Sequence, residues 1–373
     1  MDYKEELKVL RERIDKVDEG LVELFGERLG ICEEIAGVKA AGNMAIVDNA
    51  REREKIESVL AMVEQKDAQA MVPYMRSIMS ICTLRQREKF LPGHDIMFPS
   101  SGILKEADVK VGYQGVIGAW GEQGSRAMFP NAETKNFDYF EDVFDAVTRG
   151  EVDFGVLPIE NSQTGAIGEV YDLLRTRGCF IVRQTIIPIA HCLLANKGAV
   201  FSDIREVLSH PEGFRQCHNF LQGKSWDLTA SSNTAVAAQA VAQRGDKRSA
   251  AIGSERAAEI YGLSVLSADI VDNSRNQTRF IAIANQPIYN EKSNMISVTF
   301  STAHKSGALC TVLQTFMLAG INLSRIESRP VTEDKYRFFT DLQANIMDEK
   351  VLETLKQASV QCDYFEILGC YSE

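Results

Sequence analysis

Hydrophobic positions near the start of the chain recur at the three- and four-residue spacing of an amphipathic helix. A repeat of this kind forms a seam that packs against a partner helix. After Leu24 the next position of the repeat is Arg28, where an apolar side chain is expected. A guanidinium in a helix interface is costly unless an anion meets it, and no acidic residue interrupts the seam. The pattern therefore predicts a site for a foreign anion. The seam residues are Leu7, Leu10, Ile14, Val17, Leu21, Leu24, Ile31, Ile35 and Val38.

Two more basic residues belong to the same predicted helix. Lys39 lies only about 20° around the helix from Arg28, so both side chains can line one pocket. Arg11 lies about 100° away and points toward a different neighbour, such as a second subunit. A solvated helix face is the simpler interpretation for Arg11, whereas the seam disfavours that interpretation for Arg28.

Residues 1–91 are predicted to be all-helical. The first helix runs from Lys4 to Lys39, a second follows Asp48 as its N-cap, and a third starts near Pro73. Three helices, the first very long, suit an interlocked dimer better than a monomer. Residues 92–107 form a linker that contains two clusters of proline and glycine.

Residues 108–286 alternate short β-rich runs with helical stretches, which predicts an α/β domain. A second linker covers residues 287–293. Residues 294–373 predict the order βαββαβ of a ferredoxin-like α+β domain. The fold class is therefore multidomain, with an all-α domain, an α/β domain and an α+β domain.

The composition of the chain restricts the kinds of partner that the protein is expected to bind. The formal net charge is −11, which argues against a general nucleic-acid binder. The charged N-terminus and the lack of a long apolar run predict no signal peptide and no membrane span. The eight cysteines form no CxxC pair and predict reduced thiols in a cytoplasmic protein. The neighbours His191-Cys192 and Cys217-His218 lack the spacing of metal ligands, so no metal site is expected.

The helical region offers several cations and neutral donors that could converge on a small dicarboxylate. Cys82 and Gln86 are four residues apart and share one helix face. No nucleophile–histidine pair is present in this region, so the site would act by conformational restraint and electrostatic stabilisation. The candidate residues are Arg11, Arg28, Lys39, Asp48, Arg51, Glu52, Cys82 and Gln86.

Four runs in this region resemble the all-helical chorismate mutases, which are intertwined dimers that rearrange chorismate to prephenate without a cofactor. The resemblance implies that Arg28 and Arg11, the latter from the second subunit, hold the two carboxylates. It implies that Lys39 and Gln86 donate to the ether oxygen, and that Glu52 and Asp48 meet the hydroxyl side of the substrate. Cys82 stands where many members have serine, and a thiol is the weaker donor. The runs are Leu10–Ile14, Glu27-Arg28, Val38-Lys39 and Asp48–Glu54.

Polar residues gather at four predicted strand ends of the α/β region. Each cluster alone is most simply a capped turn. Four of them in one α/β domain indicate a cleft between two lobes. The clusters lie within residues 156–162, 208–217, 231–235 and 273–280.

In this order the clusters resemble prephenate dehydratase, whose two lobes resemble periplasmic binding proteins. The most specific piece is the triplet Thr278-Arg279-Phe280. The resemblance implies that Thr278 assists departure of the ring hydroxyl while the ring carboxylate leaves as carbon dioxide. Arg279 is a candidate carboxylate clamp. The candidate pocket residues are Asn161, Ser162, Ser209, Gln216 and Thr234.

The C-terminal runs Ser306–Leu309 and Gly320–Pro330 resemble the ACT regulatory domain of dehydratases. In that family phenylalanine binds between paired regulatory domains and inhibits. The resemblance implies an effector site made of Gly307, Ala308, Leu309, Asn322, Glu327, Ser328 and Arg329.

Together the three resemblances predict a cofactor-free bifunctional enzyme of phenylalanine biosynthesis, at least a homodimer, that converts chorismate through prephenate to phenylpyruvate. One alternative is a dehydratase whose helical domain only dimerises. The other is a binding protein without catalysis, since the middle region resembles solute-binding proteins.

Overall fold

The computed structural model describes residues 3–90, 107–332 and 335–372, together with positions 96, 98, 100, 102 and 104. Most of the predicted linker 92–107 lies outside the described residues. Across the described part of the chain, every helix is too short or too polar to cross a membrane.

Residues 3–90 form three helices, as predicted. Asp48 caps the second of them, because its Oδ1 atom accepts the backbone N–H groups of Ala50 and Arg51, both at 3.1 Å. The helices are α1 (Tyr3–Ala41), α2 (Asn49–Leu60) and α3 (Gln65–Phe90).

The predicted start of the third helix near Pro73 is wrong. Helix α3 begins at Gln65 and contains Pro73 in its interior. Proline removes the helical hydrogen bond to the carbonyl of Gln69. Gln69 is exposed, so water can satisfy that carbonyl, and the good helix formers before the proline continue the helix.

Residues 110–284 alternate strands and helices, as the sequence predicts. Helix α4 and strand β2 were not expected, since Gly121 and Gly124 lower the helix propensity of that stretch. Both glycines allow close packing, because a Cβ on Gly121 would lie 2.8 Å from the carbonyl oxygen of Gln114. The elements are β1 (Lys110–Gln114), α4 (Trp120–Met128), β2 (Glu133–Phe137), α5 (Phe140–Thr148), β3 (Phe154–Asn161), β4 (Gly165–Ala166), α6 (Gly168–Arg177), β5 (Phe180–Pro188), β6 (Cys192–Ala195), β7 (Glu206–Ser209), α7 (Pro211–Gln216), α8 (His218–Leu221), β8 (Asp227–Ala230), α9 (Thr234–Arg244), β9 (Ser249–Gly253), α10 (Glu255–Tyr261), β10 (Ser264–Ser267) and β11 (Gln277–Ala284).

The C-terminal elements follow the predicted order βαββαβ. Their four strands lie side by side in the order β13-β14-β12-β15. The elements are β12 (Met295–Ser301), α11 (Ala308–Leu318), β13 (Asn322–Thr332), β14 (Lys335–Gln343), α12 (Glu349–Ser359) and β15 (Tyr364–Ser372).

The chain forms two compact units. The first contains Met1–Met97, Thr302–Gly320 and Leu352–Tyr364. In it, α1 and α3 bury a small set of side chains that includes Cys32, Ala36, Cys82 and Leu84. The α1 seam is not covered within one chain, since Ile14, Val17 and Leu24 are 59%, 62% and 65% exposed.

The second unit contains Phe98–Ser301, Ile321–Val351 and Phe365–Glu373. It holds a ten-stranded sheet whose main path is β13-β14-β12-β15-β5-β11-β3-β1-β2, and a five-stranded sheet in the order β10-β6-β9-β7-β8. The chain passes from the large sheet to the small one after β5 and returns before β11, which produces two lobes. Strand β11 pairs with both β5 and β3, so it lies centrally behind the cleft between the lobes.

Candidate active sites and effector segment

A cavity of about 420 Å³ lies between the two lobes of the second unit. Four of the predicted cleft residues line it, namely Asn161, Gln216, Thr234 and Thr278. Their strands and helices come from both lobes, which is the arrangement that the four polar clusters predict. The other polar lining residues include Gln114, Trp120, Thr164, His191, His210, Glu212, Ser232 and Asn233.

Thr278 and Asn161 are cross-strand neighbours at the ends of the antiparallel strands β11 and β3. The Asn161 side-chain amide donates to Thr278 Oγ1 at 2.9 Å. Its carbonyl oxygen accepts the backbone N–H groups of Gln163 and Thr164, which fixes the orientation of the amide. Because Thr278 Oγ1 already accepts a hydrogen bond, its own hydrogen is free to point into the cleft. The pair therefore presents a buried, oriented hydroxyl donor.

Arg279, the predicted carboxylate clamp, lies on the other face of β11, because adjacent strand residues point in opposite directions. Its Nη1 atom donates to Asp341 at 2.7 Å and to Gln184 at 3.0 Å. Burial lowers the pKa of Arg279, but Asp341 and the other neighbouring acidic groups, namely Tyr371, Tyr171 and Glu160, together outweigh burial and raise the pKa overall. Arg279 is therefore a fixed cation behind the cleft and does not belong to its lining.

Two predicted serines support the cleft without lining it. Ser162 Oγ accepts the backbone N–H of Gln277 at 3.0 Å and so fastens β3 to the start of β11. Ser209 is fully buried and donates to the carbonyl of Ile252 at 3.2 Å. It packs below α7, where a Cβ on Gly213 would lie 2.4 Å from Ser209 Oγ.

His191 and Trp120 line the cleft and were missed as cleft residues. His191 Nε2 lies 2.9 Å from Gln216 Oε1, an acceptor, so Nε2 carries the hydrogen and Nδ1 is an acceptor. Burial lowers the pKa of His191, so the ring is neutral at neutral pH. His191 Nδ1 and Trp120 Nε1 are buried without a hydrogen-bond partner in the described part of the chain. Unpaired buried polar atoms at a cavity are open to a ligand or to bound water.

The described cleft lining contains neither arginine nor lysine. Anionic groups would instead meet the first turns of two helices, since Trp120 and Gly121 begin α4 and Thr234 begins α9. Free backbone N–H groups and the helix dipole favour an anion at such positions. One helix comes from each lobe, so the cleft suits a ligand with two carboxylates.

In the helical unit, Arg28 lies against Cys82 of α3, with Nη1 and Sγ 2.5 Å apart, and Cys32 Sγ lies 3.8 Å from the same nitrogen. Gln86, one turn further along α3, is also buried. Burial, with a contact from Cys32, raises the pKa of Cys82 to about 11. The thiol is thus neutral and does not supply the anion that Arg28 requires.

The remaining candidate site residues of the helical unit make their contacts outside the Arg28–Cys82 pair. Lys39 Nζ donates to the carbonyl of Ile46 at 2.5 Å. Asp48 serves as the α2 cap, Glu52 is half-buried, and Arg51 forms an exposed ion pair with Glu54 at 2.7 Å. Arg11 lies about 26 Å along α1 from Arg28, so Arg11 and Arg28 of one chain cannot hold the same small molecule.

The predicted effector residues occupy two segments. Gly307 caps α11 with φ +84°, a left-handed conformation that favours glycine, and Ala308 and Leu309 follow in the first turn. Strand β13 carries Asn322, Glu327, Ser328 and Arg329. Asn322 Nδ2 donates to Gln343 Oε1 at 2.7 Å, and Arg329 lies 3.4 Å from Asp172 of α6.

Comparison with known families gives three consecutive matches. The chorismate mutase type II family matches residues 10–87, the prephenate dehydratase family residues 111–288 and the ACT domain family residues 296–360. The fold and the three matches thus define a dehydratase that is preceded by a mutase domain and followed by an ACT domain.

Individual relatives cover most of the chain. A bifunctional chorismate mutase/prephenate dehydratase of Enterobacter agglomerans is 30% identical over 98% of this chain and 95% of its own length. An arogenate dehydratase/prephenate dehydratase of Arabidopsis thaliana is 35% identical over 86% of this chain and 87% of its own length. A prephenate dehydratase of Arthrobacter aurescens, solved in complex with L-Phe, is 27% identical with a TM-score of 0.65 over 71% of this chain and 90% of its own. The chain belongs to the bifunctional chorismate mutase/prephenate dehydratase family.

Proposed function

We propose that this chain is a bifunctional enzyme of phenylalanine biosynthesis that rearranges chorismate to prephenate and converts prephenate to phenylpyruvate. The observation that carries the proposal is the match of all three domains, in order, to relatives named for both activities. Such relatives cover the helical region as well, so the alternative of a helical domain that only dimerises is not favoured. The free cysteines fit a cytoplasmic enzyme.

We propose that the mutase site is shared between two chains. The exposed α1 seam provides a long surface for a second copy of the helix. Arg11 is too far from Arg28 to act in the same chain, whereas an antiparallel second α1 would bring it close. In the assembled site Arg28 and Arg11 of the second chain bind the two carboxylates of chorismate. A homodimer is therefore the smallest active form.

The mutase needs no nucleophile, because the rearrangement moves electrons within chorismate itself. Lys39 and Gln86 would donate to the ether oxygen, on which negative charge grows as the bond breaks. Asp48 and Glu52 would meet the substrate hydroxyl, and Arg51 would bind the substrate after leaving its exposed pair with Glu54. Cys82 acts as a neutral thiol at this site, because its raised pKa keeps the proton on sulfur.

In the dehydratase cleft, the electron pair of the breaking carbon–carboxylate bond enters the ring and expels the ring hydroxyl. Carbon dioxide leaves, the ring becomes aromatic, and the departing hydroxide takes a proton from solvent to give water. Thr278 Oγ1 donates a hydrogen bond to the departing oxygen and stabilises its developing negative charge. Asn161 holds the hydroxyl in the donating orientation.

The two carboxylates of prephenate would be bound by the first turns of α4 and α9, together with Thr234. Trp120 Nε1 supplies a further donor, and His191 Nδ1, held by Gln216, accepts a hydrogen bond from the ring hydroxyl, which keeps its hydrogen as it leaves. This assignment gives a partner to both unpaired polar atoms of the cleft.

We propose that L-phenylalanine inhibits the enzyme through the C-terminal domain. The ACT match and the L-Phe complex of the Arthrobacter dehydratase support this proposal. Gly307, Ala308, Leu309 and Asn322 would contact the amino acid, and residues 327–329 would shape its interface. Domain boundaries at 1–91, 108–286 and 294–373 complete the proposal.

A coupled assay tests the proposal. Purified chain is supplied with chorismate, and loss of chorismate and formation of phenylpyruvate are followed with and without phenylalanine. We expect phenylpyruvate to form and its rate to fall when phenylalanine is added. Accumulation of prephenate alone would contradict the dehydratase assignment. Saturable binding of prephenate without turnover would instead support a binding protein.

A further inference from the structure

Four charged side chains from four strands meet on the face of the large sheet opposite the cleft. We call them the charge cluster: Glu160 of β3, Arg279 of β11, Arg325 of β13 and Asp341 of β14. Arg279 lies 2.7 Å from Asp341 and 3.7 Å from Glu160, and Arg325 forms an ion pair with Glu160. The signs alternate and the formal charges sum to zero.

The strand register places this cluster directly behind the catalytic pair. Across β11 and β3, Arg279 is opposite Glu160, and the adjacent position pairs Thr278 with Asn161. Neighbouring residues of a strand face opposite sides. The same two strands thus present Thr278 and Asn161 to the cleft and Arg279 and Glu160 to the cluster, so a movement of one pair moves the other.

The cluster is largely buried and its charges are compensated. The side chains of Arg279 and Arg325 are each 13% exposed and that of Asp341 is 9% exposed. Ser297 donates to the second oxygen of Asp341 at 2.5 Å, and Tyr371 lies 2.7 Å from the Ser297 hydroxyl. Loss of Asp341 leaves the buried charge of Arg279 without its nearest partner, which is strongly unfavourable, whereas Glu160 is 37% exposed and depends less on its partners. The strands therefore keep their contacts or move together.

The charge cluster is also joined to strand β13, which carries the predicted effector residues Glu327–Arg329. Arg325 and Asp341 are cross-strand neighbours on β13 and β14. Arg329 lies four residues beyond Arg325 on the same face of β13 and pairs with Asp172 of α6. Two arginines of the strand that carries Glu327–Arg329 thus contact the dehydratase region.

We propose that the charge cluster positions the Asn161–Thr278 pair and transmits the state of strand β13 to it. The inference rests on the proposed function. Arg279 and Asp341 are positioning residues, since neither lines the cleft. Effector binding beside Glu327–Arg329 would shift β13, and the ion pairs would carry that shift to β3 and β11. The hydroxyl of Thr278 would then leave the orientation in which it stabilises the departing oxygen.

The isosteric variant Asp341→Asn tests the positioning role. Misplacement of a catalytic donor lowers turnover more than binding, so we expect dehydratase kcat to fall about tenfold or more while KM for prephenate stays within about twofold. The circular dichroism spectrum serves as the control for folding of the second unit, because mutase turnover reports only on the first unit. The matched control is Arg149→Gln, which removes an exposed ion pair with Asp145 in the same unit and should leave both activities unchanged.

Arg325→Gln tests transmission, and it is the milder change because Glu160 is partly exposed to water. We expect the variant still to bind phenylalanine, as measured by calorimetry, yet to keep more than half of its dehydratase rate at saturating phenylalanine. A merely structural role would not separate binding of the effector from inhibition.

The parent chain is assayed first with prephenate, because absence of turnover there would contradict the proposed function and not the cluster. If the parent is active, unchanged kcat in Asp341→Asn and unchanged inhibition in Arg325→Gln would overturn the inference. A rise in KM at constant kcat would overturn it as well, since that result would place Asp341 in substrate binding.

Discussion

The hydrogen bond from Asn161 to Thr278 gives the sharpest prediction about the dehydratase cleft. In Asn161→Asp the shape of the side chain is kept, and the acceptor side still faces the N–H groups of Gln163 and Thr164. The donating amide nitrogen, 2.9 Å from Thr278 Oγ1, is replaced by a carboxylate oxygen. The hydroxyl hydrogen of Thr278 then turns toward the carboxylate and away from the substrate.

The expected magnitude follows from the loss of one transition-state donor. Removal of such a donor costs about 100- to 1,000-fold in kcat, or roughly 2.7–4 kcal/mol. Because the same donor is lost, Thr278→Val should show a similar fall, and the double variant should be no slower than either single variant. The introduced carboxyl faces the oxygens of Asn276 and Gln277, so we also expect a lower melting temperature.

The assay is initial-rate formation of phenylpyruvate from prephenate, with the circular dichroism spectrum as the check on folding of the second unit. Asn136→Asp, a change of the same type at an exposed position of β2, is the matched control. A kcat within threefold of the parent would refute the reasoning, as would effects of Asn161→Asp and Thr278→Val that multiply in the double variant.

Three further predictions concern other groups. Arg28→Ala should lower mutase kcat/KM by about 100-fold or more and leave dehydratase turnover intact, whereas the exposed control Arg13→Ala should change neither rate. Cys310 is exposed and should react with iodoacetamide at pH 7.5 well before Cys82, because the Cys82 pKa of about 11 leaves little thiolate. Equal labelling of the two cysteines, measured by mass spectrometry, would contradict this prediction. Burial lowers the pKa of His191, so as the pH falls the imidazole binds a proton in the unfolded chain before it does so in the folded protein, and stability should fall below about pH 6.5. In His191→Gln the melting temperature should depend less steeply on pH between about pH 5 and 7. An unchanged pH dependence would count against the lowered pKa.

The alternation of residues along the strands gives information about the cleft that the motifs alone do not give. Alternation along a strand would have placed Arg279 opposite Thr278, and so would have argued against the clamp. The buried His191 was considered only as a metal ligand beside Cys192. By contrast, the pairing of Thr278 with Asn161 depends on strand register, which no local pattern specifies.

In the helical unit the spacing of apolar residues predicted both the length of α1 and the unusual position of Arg28. It could not predict that the helix would continue through Pro73, because that outcome depends on exposure of the freed carbonyl. The sequence does not predict helix α4 because its two glycines lower helix propensity and serve close packing, in the case of Gly124 against Phe280, which is distant in sequence.

The central claim is that the protein has two separate active sites, one around Arg28 that a second chain completes and one around Thr278. The most direct test is turnover of chorismate by Thr278→Ala, with chorismate, prephenate and phenylpyruvate followed in the same reaction. The account predicts that chorismate is consumed at the parent rate and that prephenate accumulates without phenylpyruvate. Equal loss of both activities, in a variant with an unchanged melting temperature, would contradict it.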